Sequence, residues 1–310
     1  AGDHERALAE QRAAADLSPD FAAAWLASAR TAYELSRYGQ AAEGFERGFR
    51  LDPDPDPAWL HYAAVASLLD ERPAEAVTLL RELVDGAYGP PRLAWCRDLA
   101  AAAVEAGDTV AAAAAADTIC ARFPDDPEAW LTAYRVHALA GDNARAAVAL
   151  TMVGYLRPLE RAEAATLGDL YFALNAPALA GRYYDVAVDA SASVDDYERL
   201  SSAWLAARDE RRAAETLDRG LARFPSARLW SLLGDLRLMQ SDHEAAYEAY
   251  RESAALDPAA GRVQLMLGWC ALETDRPEEA IAALEQAMAD SSQIKAAESL
   301  LTRAHRSIKF

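Results

Sequence analysis

The chain has 310 residues, 52% hydrophobic and 26% charged, with 31 basic against 49 acidic side chains and a formal net charge of −18. That apolar fraction excludes a disordered chain, and no charge-free apolar stretch of about 18 residues offers a membrane span. The acid excess, with no basic block to offset it, argues against nucleic acid as a partner.

Alanine supplies 75 residues, and lysine occurs only as Lys295 and Lys309. Alanine is the best helix former and the strand-favouring β-branched residues are sparse, so an all-α chain is predicted. Three residue series recur in phase. Trp25, Trp59, Trp95 and Trp130 are spaced by 34, 36 and 35 residues. Ala7, Ala41, Ala76, Ala112, Ala146, Ala180, Ala213, Ala246 and Ala280 follow steps of 33 to 36. Pro19, Pro53, Pro124, Pro158, Pro225 and Pro258 each lie 12 residues after one of those alanines.

In chain order, residues 1–20 read as the second helix of a partial repeat. Residues 21–55 give a complete unit. Ala24-Trp25-Leu26 opens a helix running to Leu35, and Arg37-Tyr38-Gly39 makes the turn. Gln40-Ala41-Ala42-Glu43-Gly44-Phe45 opens a second helix that ends at Leu51-Asp52-Pro53, because proline cannot continue the hydrogen-bond ladder. Like units are expected at 56–92, 93–126, 127–160, 161–193, 194–226, 227–260 and 261–291, in one array, and 292–310 reads as one more helix.

This helix–turn–helix pattern resembles the tetratricopeptide repeat, with a period of about 34 residues. Trp230-Ser231-Leu232-Leu233-Gly234 with Ala246, Tyr250 and Pro258 carries the resemblance best; Leu167-Gly168 with Ala180 and Tyr184, and Leu267-Gly268 with Ala280 and Leu284, follow. It implies a right-handed superhelical solenoid of about eight repeats with flanking half-repeat helices. The recurrent alanine is expected where the two helices of a unit cross, with Gly168, Gly234 and Gly268 supplying the facing gap.

The second and third units deviate. Asp85-Gly86-Ala87-Tyr88-Gly89-Pro90-Pro91 lengthens one link, and Ala116 stands where a bulky residue is usual. From Asp52 to Glu128 there are 15 acids against 5 arginines. Asp52, Asp54 and Asp56, interleaved with prolines, form an acidic patch that lacks the glycine and bidentate glutamate of a calcium loop. The stretch reads either as solvated acidic turns or as a hinge or partner site.

Chemistry-bearing motifs are missing. His4, His61, His137, His243 and His305 are scattered, with no His-x-x-x-His or Cys-x-x-Cys pair, so no metal is expected. Ser292-Gln293-Ile294-Lys295 has the form Ser-x-x-Lys without its companion motifs. No nucleophile–base–orienter set or phosphate loop appears, and neither catalysis nor a cofactor is expected. Cys96, Cys120 and Cys270 are too few for a disulfide framework; Cys96 and Cys120 fall on paired helices and read as free buried thiols.

In the family resembled, the first helix of each pair lines a groove. The resemblance therefore assigns partner-binding positions to Arg30, Tyr33 and Glu34, then Arg97, Glu105 and Arg135, then Asp169 and Phe172. Asp195, Glu198, Arg228, Asp235, Arg262, Trp269 and Glu273 complete the set. The Lys/Asn clamp of chaperone-tail receptors is missing, since the only asparagines are Asn143 and Asn175. The expected function is a non-catalytic protein-interaction scaffold. The start at Ala1-Gly2-Asp3 reads as a segment of a longer chain. Long Ala- and Arg-rich arrays of this kind also resemble the periplasmic regions of bacterial exopolysaccharide export proteins (the Pel, poly-N-acetylglucosamine and cellulose systems). That resemblance implies a polymer-modifying enzyme as partner, and a basic protein patch or a cationic polysaccharide suits the net charge. An accessory segment of a larger enzyme, or a cytoplasmic regulatory or secretion-chaperone protein, remains open.

Overall fold

The computed structural model of the chain describes residues 2–308. Lys309 and Phe310, the end of the last predicted helix, lie outside the described residues. The all-α expectation holds: 18 helices are present and no strand occurs among the described residues. The helices fall into two compact units, the first ending in the chain at Pro158 and the second beginning at Leu159.

Unit 1 opens with α1 (Gly2–Leu17) and continues as four helix pairs. These are α2 (Ala22–Glu34) with α3 (Tyr38–Leu51), α4 (Pro57–Leu69) with α5 (Pro73–Val84), α6 (Leu93–Glu105) with α7 (Thr109–Arg122), and α8 (Pro127–Leu139) with α9 (Asn143–Leu156). Unit 2 holds α10 (Arg161–Ala173) with α11 (Pro177–Ala187), α12 (Val194–Ala206) with α13 (Glu210–Leu221), α14 (Ala227–Met239) with α15 (His243–Leu256), and α16 (Gly261–Glu273) with α17 (Pro277–Ala287). It ends with α18 (Ile294–Ser307). Inside each unit every helix packs on the next, and first helices of successive pairs also touch, as in α4 with α6 and α12 with α14.

The turn inside each pair is built one way. A single residue adopts the left-handed conformation: Ser36, Glu71, Gly107 and Gly141 in unit 1, and Asn175, Arg208, Ser241 and Asp275 in unit 2. The residue after it donates its N–H to a carbonyl five residues earlier, as Arg37 does to Ala32 and Asp242 to Arg237 at 2.8 and 2.9 Å. This is the Schellman closure of a helix end. The first turn thus centres on Ser36, not on Arg37-Tyr38-Gly39 as expected. Gly39 lies inside α3, where an added Cβ would sit 2.7 Å from an Asp70 carboxylate oxygen.

Apart from α3, whose N-cap Arg37 makes no side-chain cap, the next helix then starts by one of two devices. Asp108, Asp142, Asp209 and Asp242 cap α7, α9, α13 and α15 by accepting a backbone N–H. Pro73, Pro177 and Pro277 instead occupy the opening of α5, α11 and α17, where an N–H would have no partner.

Packing explains the residue series. Ala41, Ala76, Ala112, Ala146, Ala180, Ala213, Ala246 and Ala280 are at most 2% exposed, each in the first turns of a second helix. Trp25 and Trp130 donate their indole N–H to the carbonyls of Pro19 and Pro124, at 3.0 and 2.8 Å. An indole taken out of solvent needs such a partner, so at these two positions the tryptophan and the proline are two halves of one contact. Gln264 repeats it on Pro258 at 3.1 Å. The gaps at Gly168, Gly234 and Gly268 are filled by the residue one turn beyond the alanine. A Cβ at these glycines would approach Tyr184, Tyr250 and Leu284 to 2.5, 2.7 and 2.6 Å.

The long link between α5 and α6 is tied down. Tyr88 packs edge-on against Phe49 at 4.9 Å, and Arg50 of α3 donates to the Tyr88 hydroxyl at 3.3 Å. Arg50 also grips Glu82 of α5 with two bonds of 2.7 Å.

Candidate functional site

Three of the expected groove residues, Arg30, Tyr33 and Glu34, meet Asp56 of the acidic patch in one cleft of about 430 Å³ in unit 1. Residues of α2 form one wall and the start of α4 the other, with Phe45 of α3 between them. Phe45 is buried and stacks on Trp59 at 5.8 Å with the planes 12° apart. Tyr62 lies 5.6 Å from Phe45 and 5.8 Å from Trp59, and is 48% exposed. Tyr33 closes the aromatic lining 6.5 Å from Phe45. The Arg30 guanidinium lies over the Trp59 ring at 4.5 Å.

The residues missed in the sequence are Phe45, Trp59 and Tyr62, which pass for inter-repeat packing. A usable signal was their density: Tyr33, Tyr38, Phe45, Phe49, Trp59 and Tyr62 crowd into one short stretch of a chain that is 8% aromatic.

The acidic patch divides. The Asp52 carboxylate accepts the Asp54 N–H at 3.1 Å, and Asp56 caps α4 by accepting the Ala58 N–H at 2.9 Å. The Asp54 side chain is exposed and makes no hydrogen bond or ion pair among the described residues.

Several other assigned groove charges are joined to the next first helix of their unit. Asp169 accepts the Tyr184 hydroxyl at 2.7 Å and lies 3.6 Å from Arg199 of α12. Asp235 accepts the Tyr250 hydroxyl at 2.6 Å and pairs with Arg262 of α16 at 2.7 Å. Burial first, then the adjoining carboxylate, pushes both tyrosine hydroxyls well above their ordinary pKa. Glu198 accepts the Ser226 hydroxyl at 2.7 Å, and Glu273 takes Arg303 of α18 at 2.7 Å. Arg228 and Arg262 line a second cleft near the start of α16.

Trp269 is half-buried, with its ring 5.3 Å from His243 and edge-on. Phe172 is 43% exposed. Arg97, Glu105, Arg135 and Asp195 are exposed and separate from the cleft lining.

Cys96, Cys120 and Cys270 are buried and unbridged. Burial pushes the Cys120 and Cys270 thiols up to about 11 and about 12. No group of three His, Cys, Asp or Glu side chains able to hold a metal occurs among the described residues. No described helix is long and apolar enough to cross a membrane.

Family profiles described as tetratricopeptide repeat match residues 26–90, 200–260 and 237–304, more than half of the chain together. No curated protein matches the chain in sequence. Among solved structures, Naa15/Naa10 bound to HypK-THB superposes with a TM-score of 0.54 at 16% identity, over 96% of this chain and 49% of that one. A crystal structure of MamA gives 0.46 at 22% identity, over 52% of this chain and 95% of that one. A tetratricopeptide repeat protein from Parabacteroides merdae ATCC 43184 gives 0.45 at 14%, over 80% and 98%. At these identities the likeness concerns the fold alone. The phased alanine, tryptophan and proline series, the hairpins they build and the matching profiles lead to one conclusion: the chain belongs to the tetratricopeptide-repeat family.

Proposed function

We propose that the chain is a single non-catalytic docking array and that a partner protein is held at the cleft between α2 and α4. The observation that carries this reading is the cleft itself. Four aromatic side chains line it, Tyr62 stays open to solvent, and Arg30, Glu34 and Asp56 stand at its rim. Aromatic anchors ringed by polar groups are the usual composition of a protein-binding hot spot.

The finer setting we propose is exopolysaccharide export, with a polymer-modifying enzyme as the partner. The Ala- and Arg-rich array and the net charge of −18 support it. The test is site-specific photocrosslinking with purified candidate partners. A crosslinking side chain at position 62 should capture the partner, and one at position 155, an 80% exposed site on α9, should not. Capture from position 155 alone would overturn the assignment to the cleft.

A further inference from the structure

The cleft already holds one guanidinium. Arg30 lies over Trp59, is exposed, and makes no hydrogen bond or ion pair among the described residues. Nothing but the ring holds it there. One turn further along α2, Glu34 makes only a 3.9 Å approach to His4. Across the cleft, Asp56 commits one oxygen to the Ala58 N–H. Carboxylate capacity is therefore left on both walls, with the Phe45–Trp59 stack and the half-open Tyr62 ring between them.

Aromatic faces attract cations electrostatically. A guanidinium is flat enough to stack on a ring while its edge N–H groups reach carboxylates. An ammonium stacks less well, and an anion would face Glu34 and Asp56. The stretch Asp52–Glu128, which begins at this cleft, holds 15 acids against 5 arginines and draws cations toward it.

We propose that the cleft is a subsite for an arginine side chain presented by a partner protein. The partner's guanidinium takes the stacked place that Arg30 fills in the free protein, and Glu34 and Asp56 hold its edge. Arg30 is then an internal competitor that swings into solvent when the partner arrives. This inference rests on the docking reading above and narrows it to one chemistry.

A random-peptide display library panned against the protein and against Tyr62→Ala tests it. Peptides that bind in a Tyr62-dependent way should share an arginine, and changing that arginine to glutamate should abolish binding. The Glu34→Gln/Asp56→Asn variant should bind them about tenfold more weakly, the loss of about 1.4 kcal/mol, while asparagine keeps the α4 cap. Arg30→Ala should bind them more tightly. Tyr62-dependent peptides without basic enrichment would overturn the arginine subsite and leave the docking reading standing. No Tyr62-dependent peptides at all would overturn both. A glucosamine tetramer that displaces the peptides through Tyr62 and Glu34 would reassign the cleft to a cationic sugar and overturn the arginine assignment.

Discussion

Replacing Gly234 by alanine adds one methyl group at a helix crossing with no room for it. The new Cβ would lie 2.7 Å from Tyr250 Cε1 and Cζ and 2.9 Å from Cδ1. Ordinary carbon contacts are about 3.5–4.0 Å. The ring has nowhere to retreat: Tyr250 is fully buried, its hydroxyl donates to Asp235 at 2.6 Å, and Arg262 holds Asp235 at 2.7 Å. Overpacking of this kind costs about 1–3 kcal/mol. The better helix propensity of alanine offsets about 1 kcal/mol. Disturbing the hydroxyl bond costs about 1 kcal/mol more. Gly234→Ala should therefore destabilise by about 1–3 kcal/mol. In a Tyr250→Ala background the methyl group has space, and the same change should stabilise by about 1 kcal/mol. Urea unfolding followed by far-UV circular dichroism reads the sign, and amide exchange of α14 and α15 localises it. A stabilised Gly234→Ala single variant, or the same effect in both backgrounds, would refute the steric account.

Other outcomes follow from the turns, the ion pairs and the thiols. Glu71→Gly and Arg208→Gly relieve left-handed residues with φ of 58° and 55° and should each stabilise by about 0.5–1 kcal/mol, whereas Gly141→Ala should destabilise by about 1 kcal/mol; thermal unfolding of the three variants decides. The hydrogen bond from Arg50 holds Glu82 below its ordinary pKa of 4.5. Its contribution is complete above pH 4.5 and is lost as pH falls through the lower folded value, so Glu82→Gln should lose stability at pH 7 and show less acid sensitivity below 4.5. An unchanged acid-unfolding profile would remove that pair from the account. The buried thiols, at about 11 for Cys120 and about 12 for Cys270, should resist alkylation at pH 8 until the chain is unfolded; rapid native labelling would contradict their burial.

The helix class and the hairpin repeat were legible because alanine, tryptophan and proline each recur for a packing reason that period alone exposes. The turns were less so. Only Gly107 and Gly141 advertise the left-handed position, while Ser36, Glu71, Asn175, Arg208, Ser241 and Asp275 adopt it with no glycine to mark it. At Ser36, Glu71, Arg208 and Ser241 closure of the hairpin imposes the conformation against local preference, whereas Asn175 and Asp275 are residue types that tolerate it. The family resemblance assigned the groove charges to first helices, but their pairing was not legible. Asp235 with Arg262 and Glu273 with Arg303 join residues 27 and 30 apart, and that depends on how one hairpin is set on the next. The cleft was half legible: Arg30, Tyr33, Glu34 and Asp56 were singled out, but not that they share a space with Phe45, Trp59 and Tyr62.

Tyr184 and Tyr250 each run from a glycine-lined interior to a carboxylate that solvent reaches. A phenol's near-ultraviolet absorption depends on the hydrogen bond its oxygen makes. The two rings are therefore optical reporters built into unit 2. Displacement of Arg199 or Arg262 from its aspartate, by salt, by substitution or by a bound partner, would be visible in a difference spectrum with no label attached.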